Sequence, residues 1–91
     1  VIVKPEIGKT NIYATPNPTN GSIQVSLMDI TFSDYEIKIM DQSGRVLLSK
    51  NGHVEDNTKI EEFDLNSFDK GFYYVIINTG YGTKIETIAK Q

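Results

Sequence analysis

His53 is the single histidine of the chain, and there is no cysteine. An imidazole works as a general base only beside a nucleophile and an orienting partner. His53 follows Gly52 in a polar stretch with no serine or cysteine motif to activate, which is the pattern of a solvated loop histidine. The acids Asp29, Asp34, Asp41, Glu55, Asp56, Asp64 and Asp69 fall mostly between apolar runs and lack the closely spaced oxygens and central glycine of an EF-hand. Only a calcium site assembled from separated loops stays open. Gly80-Tyr81-Gly82 is flanked by strand-like sequence on both sides, whereas a phosphate cradle needs a helix N-terminus after it. Asn20-Gly21-Ser22 fits a glycosylation acceptor, a triplet common by chance, and Asn17-Pro18-Thr19 is excluded by its proline. Tyr13 and Tyr81, expected at the surface, could stack on sugar rings, although an isolated aromatic in a β-protein is more often a cross-strand packing partner. Apart from that open calcium site, these residues predict no catalytic centre, no metal site and no cofactor.

The bounds from composition agree. With 91 residues the chain makes one domain, whose core can fold without staples but with little stability to spare. The lack of cysteine excludes disulfides, zinc thiolates and thiol catalysis, and leaves the redox compartment open. Nine basic residues against twelve acidic ones give a formal net charge of −3, which supplies no general attraction for nucleic acid or anionic lipid. The longest apolar run, Phe72 to Ile77, is far short of the roughly 20 residues of a membrane-spanning helix, so stable membrane insertion is not expected. Val1 to Thr10 lacks the pattern of a secretory signal and reads as a linker or edge segment cut from a longer protein.

The elements that position these side chains are strands. Gly71-Phe72-Tyr73-Tyr74-Val75-Ile76-Ile77-Asn78 is apolar on both faces, which predicts a central strand with a neighbour on each edge and cover on at least one face. Tyr73 or Tyr74 is expected to bury its ring and pass its hydroxyl to a loop carbonyl, as in a tyrosine corner. Before it, Asn11 to Ala14 gives a short first strand, stopped by the stiff corner Thr15-Pro16-Asn17-Pro18-Thr19-Asn20-Gly21. Ser22 to Leu27 and Tyr35 to Met40 alternate as half-buried antiparallel strands. Asp41-Gln42-Ser43-Gly44 is a hairpin loop returning through Arg45 to Lys50, and Asn51 to Asn57 reads as a long loop. Thr58 to Leu65 reads as an edge strand, and Phe68 as a ring plugging the end of the core. After the Asn78 to Gly82 hairpin, Thr83 to Lys90 closes the chain. Ile85 and Ile88 are three apart, which predicts a bulge or an early end with Ala89 loosely packed. Short strands spaced about ten residues apart predict an all-β, immunoglobulin-like antiparallel β-sandwich of about seven strands.

Three motifs in register carry a family resemblance. Pro16-Asn17-Pro18-Thr19-Asn20-Gly21, Asp41-Gln42-Ser43-Gly44-Arg45, and Asp64-Leu65-Asn66-Ser67-Phe68-Asp69-Lys70-Gly71-Phe72-Tyr73 follow one another as in the C-terminal sorting domain, type A, of the bacterial type IX secretion system. The chain resembles that family from about Asn11 to its end. It departs where Asn66 and Phe68 replace the usual Ser and Leu, and where Glu86 enters the last strand, whose basic character Lys84 and Lys90 keep.

The resemblance implies a non-catalytic signal that directs its parent protein through the periplasm and across the outer membrane. It implies as partners the translocation machinery and a sortase-like peptidase, which cuts before the domain and joins the parent to an anionic lipopolysaccharide at the cell surface. The residues it marks are Pro16, Asn17, Pro18, Gly21, Asp41, Gly44, Arg45, Leu65, Gly71, Tyr73, Lys84 and Lys90. Thr83 to Lys90 is the expected recognition edge, with Lys84 and Lys90 guarding it, and such an edge leaves a homodimer open. The same fold would equally suit a sugar- or protein-binding adhesion module.

Overall fold

A computed structural model of the chain describes residues 11–30, 32–55 and 58–91. The strands in chain order are β1 (Asn11–Thr15), β2 (Ser22–Met28), β3 (Ser33–Met40), β4 (Val46–Val54), β5 (Thr58–Asp64), β6 (Gly71–Thr79) and β7 (Gly82–Lys90). Alternation in β2 and β3 puts Ile23, Val25, Leu27, Tyr35, Ile37 and Ile39 on one buried side of each strand. Burying such faces requires a second layer. Two sheets supply it, ordered β1-β2-β5 and β4-β3-β6-β7, with every neighbouring pair antiparallel. This is the all-β sandwich that the sequence predicts. Ile12, Ile23, Leu27, Ile37, Ile39, Val75, Ile77 and Ile88 are sealed between the layers, each contributing about 1.5–3 kcal/mol of transfer free energy.

β6 has β3 on one edge and β7 on the other, as expected of a central strand. Only its inner face is covered. Tyr73, Val75 and Ile77 are buried, while Phe72 and Tyr74 on the outer face are 54% and 37% exposed. The Tyr73 hydroxyl donates to the Asp69 carbonyl, the tyrosine-corner contact anticipated for one of the paired tyrosines. Phe68 packs half-buried against the core, its ring centroid 6.2 Å from that of Tyr73, in the plugging position expected.

Two expectations are corrected. Asn51, Gly52 and His53 belong to a strand rather than a loop, because β4 keeps its register with β3 as far as Ser33↔Val54. The polar sequence misleads there because β4 is an edge strand whose pairing needs no apolar side chains. Gly52 is required at that point, since a Cβ would meet the Tyr35 hydroxyl on its way to the Glu61 carboxylate. β7 neither bulges nor stops early; its register with β6 is unbroken from Gly82 to Lys90. Ile88 points in and Ile85 out, while Lys84 and Glu86 take inward positions as an ion pair of 3.4 Å at the margin of the sandwich. Among the described residues the register shifts instead between Ile39 and Met40, against β4. The expected linker Val1 to Thr10 lies outside the described residues, as do Asp56 and Asn57 of the expected loop.

Candidate functional site

The Pro16–Gly21 corner is folded onto the last strand. Both X–Pro bonds, Thr15-Pro16 and Asn17-Pro18, are cis. The Asn17 side chain acts as a short surrogate strand: its Nδ2 donates to the Thr87 carbonyl (2.9 Å) and its Oδ1 accepts from the Ala89 N–H (3.0 Å). Thr19 continues the pairing, its N–H donating to the Ala89 carbonyl and its carbonyl accepting from the Gln91 N–H, both at 2.9 Å. The Thr19 hydroxyl, nearly fully buried, donates to the Ser22 carbonyl and accepts from the Gly21 N–H. A Cβ on Gly21 would strike the Asn66 amide, and the Gly21 carbonyl accepts from the Leu65 N–H at 2.8 Å. The corner therefore joins both β7 and the loop after β5.

Asp41 organises the β3–β4 hairpin by one carboxylate. Its Oδ1 accepts from the Ser43 and Arg45 N–H groups (each 3.0 Å) and from the Ser43 hydroxyl (2.6 Å), and Oδ2 takes the Arg45 Nε–H at 3.1 Å. The Ser43 hydroxyl foremost, then the Arg45 N–H, hold its pKa down at about 2. Gly44 has φ +89°, the conformation that makes glycine necessary in this turn. Asp64 repeats the device on a smaller scale, accepting from the Asn66 N–H and Nδ2, and those bonds lower its pKa. Gly71, at φ +148° with open space around it, is glycine for its backbone rather than for room.

These pieces meet at one end of the sandwich. Gly21 is bonded to Leu65, Thr19 to the end of β7, and the Lys90 ammonium to the Phe68 carbonyl at 2.6 Å. The Asp41–Ser43 turn and Lys70–Tyr73 line a shared hollow of about 270 Å3. Three motifs far apart in sequence thus meet at one end of the sandwich. Residues 11–91 match the family model described as the secretion system C-terminal sorting domain. The chain belongs to that family. No curated protein matches its sequence.

As a sorting domain of type IX secretion, the chain carries a signal for export to the cell surface or release, acts with the machinery of that system, and falls in a family that is generally non-catalytic. No helix among the described residues is long and apolar enough to cross a membrane. Of the marked residues, the structure brings Pro16, Asn17, Pro18, Gly21, Asp41, Gly44, Arg45, Leu65, Gly71, Tyr73 and Lys90 to the motif end. Lys84 stands apart, opposite Ile77. Lys84 donates to the Ile12 carbonyl and so covers the edge of β1, and Lys90 ties down the Phe68 loop; neither ammonium lies against the outer edge of β7, where guards were expected.

Tyr13 is half-buried with its hydroxyl toward Met28 Sδ, and Tyr81 packs against the core, so the exposure expected of both is not found. His53 is exposed and paired with Asp34 at 2.8 Å, with no nucleophile beside it among the described residues. Along the opposite seam, a groove of about 740 Å3 has a floor of Ile23, Leu48 and Phe63; Lys50 crosses it, over the Phe63 ring at 5.0 Å and onto the Glu62 carbonyl. Sequence reasoning missed Thr19 and Asn66, the two joints of the motif end. Their only signal was the turn preference of Ser, Thr and Asn beside proline and glycine.

Proposed function

We propose that this sorting domain is read as a folded object by the export apparatus, is afterwards removed by a sortase-like peptidase that cuts within or beside residues 1–10, and leaves its parent joined to an anionic lipopolysaccharide on the cell surface. The observation that carries the reading is the convergence of the three family motifs on one end, held by the Asn17, Thr19 and Gly21 bonds rather than spread over the surface. Turn residues that build a rigid shape suit recognition of form.

The test is a fusion of residues 1–91 to a periplasmic reporter in a bacterium that has the secretion system. Reporter is expected at the cell surface, shortened by about the mass of the domain and carrying lipopolysaccharide. Reporter that stays in the periplasm sinks the sorting role for this chain, and full-length reporter at the surface sinks the cleavage step alone.

A further inference from the structure

Hydrogen bonding along the outer edge of β7 divides that edge in two. The Thr87 carbonyl, both polar groups of Ala89, and the Gln91 N–H face away from β6 and are taken by Asn17 and Thr19. Backbone groups alternate sides along an antiparallel strand. Thr83 and Ile85 therefore also turn theirs outward, and among the described residues nothing pairs with the N–H groups of Thr83, Ile85 and Thr87 or the carbonyls of Thr83 and Ile85. The corner thus caps the C-terminal half of the edge, and among the described residues Thr83–Thr87 is left open.

An apolar face lies beside the open part. Ile85 is 61% exposed and stands opposite Ile76; Phe72 and Tyr74 continue the patch along β6, and Met40 of β3 stands opposite Tyr74. Isolated exposed apolar residues are ordinary, but a contiguous group against an unpaired edge marks a contact surface. The occupant is constrained by the edge itself. Only an extended polypeptide can match alternating N–H and carbonyl groups at strand spacing.

We propose that Thr83–Thr87 accepts a strand from a protein of the export apparatus, so that the four-stranded sheet gains a fifth strand. This rests on the sorting reading above. The incoming strand has apolar side chains on the side continuing Ile76 and Ile85. Its other side carries polar groups, since there it meets Lys84 and Glu86. Its paired length is about five residues, because the Pro16–Thr19 corner stops it beyond Thr87.

Proline at position 85 tests this cleanly, because the amide it removes faces outward and the β6 ladder is left intact. Ile85→Pro and Ile85→Lys reporter fusions are compared with the unaltered fusion, and the purified variants are checked by thermal unfolding. Ile85→Lys keeps the amide but blunts the edge with a charge, so it decides the matter should the proline variant fail to fold. The expected result is a folded domain and about a tenfold loss of surface reporter, as for losing one interfacial hydrogen bond and its apolar neighbour. Unchanged delivery of both variants overturns the edge proposal while leaving the sorting role standing. Failure of the unaltered fusion overturns both. A purified chain that sediments as a dimer, and becomes monomeric on Ile85→Pro, would assign the edge to a second copy instead and also overturn it.

Discussion

Asp41 and Tyr73 show how a marked residue can be a structural device. Asp41 is depressed to about 2 by hydrogen bonds made only in the folded hairpin. A carboxyl with a lowered folded pKa adds stability above its ordinary value near 3.8, and that contribution disappears as pH falls through about 2. Carbon NMR of the Asp41 carboxyl should therefore titrate near 2, and Asp41→Asn should remove this part of the acid dependence; a midpoint near 4 would sink the hairpin's hydrogen-bond scheme. Tyr73 behaves oppositely, its pKa raised first by burial and then by the charges of Asp69 and Asp41. Tyr73→Phe keeps the ring and loses the bond to the Asp69 carbonyl, for an expected cost of about 1 kcal/mol in urea unfolding. No change in the unfolding midpoint would mean that the hydroxyl contributes nothing to the corner.

At the scale of elements, the two seams of the sandwich are closed by different means. One is spanned by Lys84 reaching the edge of β1, the other by Lys50 and Tyr35 reaching β5, each long side chain meeting a polar group across the gap. Gly52 is the clearance through which the Tyr35 hydroxyl passes. Gly52→Ala is expected to force that ring aside and to destabilise the fold by about 1–3 kcal/mol, as overpacking does, measurable as a fall in thermal midpoint; an unchanged midpoint would show that the seam yields freely. On the other side, Asn17→Ala should free the Ala89 N–H, and its hydrogen exchange should quicken while that of Val75 stays slow. Equal protection of Ala89 in both proteins would mean that the surrogate strand is dispensable.

For the whole molecule, recognition of form requires that the form exist. Ile77 is fully enclosed, and Ile60 is 48% exposed on the outer side of β5. A buried unpaired carboxylate costs several kcal/mol, a large share of a small domain's stability. Ile77→Asp should therefore abolish surface delivery and Ile60→Asp should leave it intact; delivery of an unfolded Ile77→Asp chain would show that a linear signal suffices. The strands, hairpins and tyrosine corner were legible in the sequence because alternation and turn chemistry act between near neighbours, as in Ile23-Val25-Leu27 and Asp41-Gln42-Ser43-Gly44. So was the family, since its motifs are those same turns. Only the tertiary structure decided that the motifs share one end, that β4 runs on through Gly52, that Lys84 serves β1, and that half of β7 is sealed. Those outcomes hang on contacts such as Asn17 with Thr87 and Ala89, 70 and 72 positions apart, which no local pattern encodes because their partners meet only after both sheets have closed.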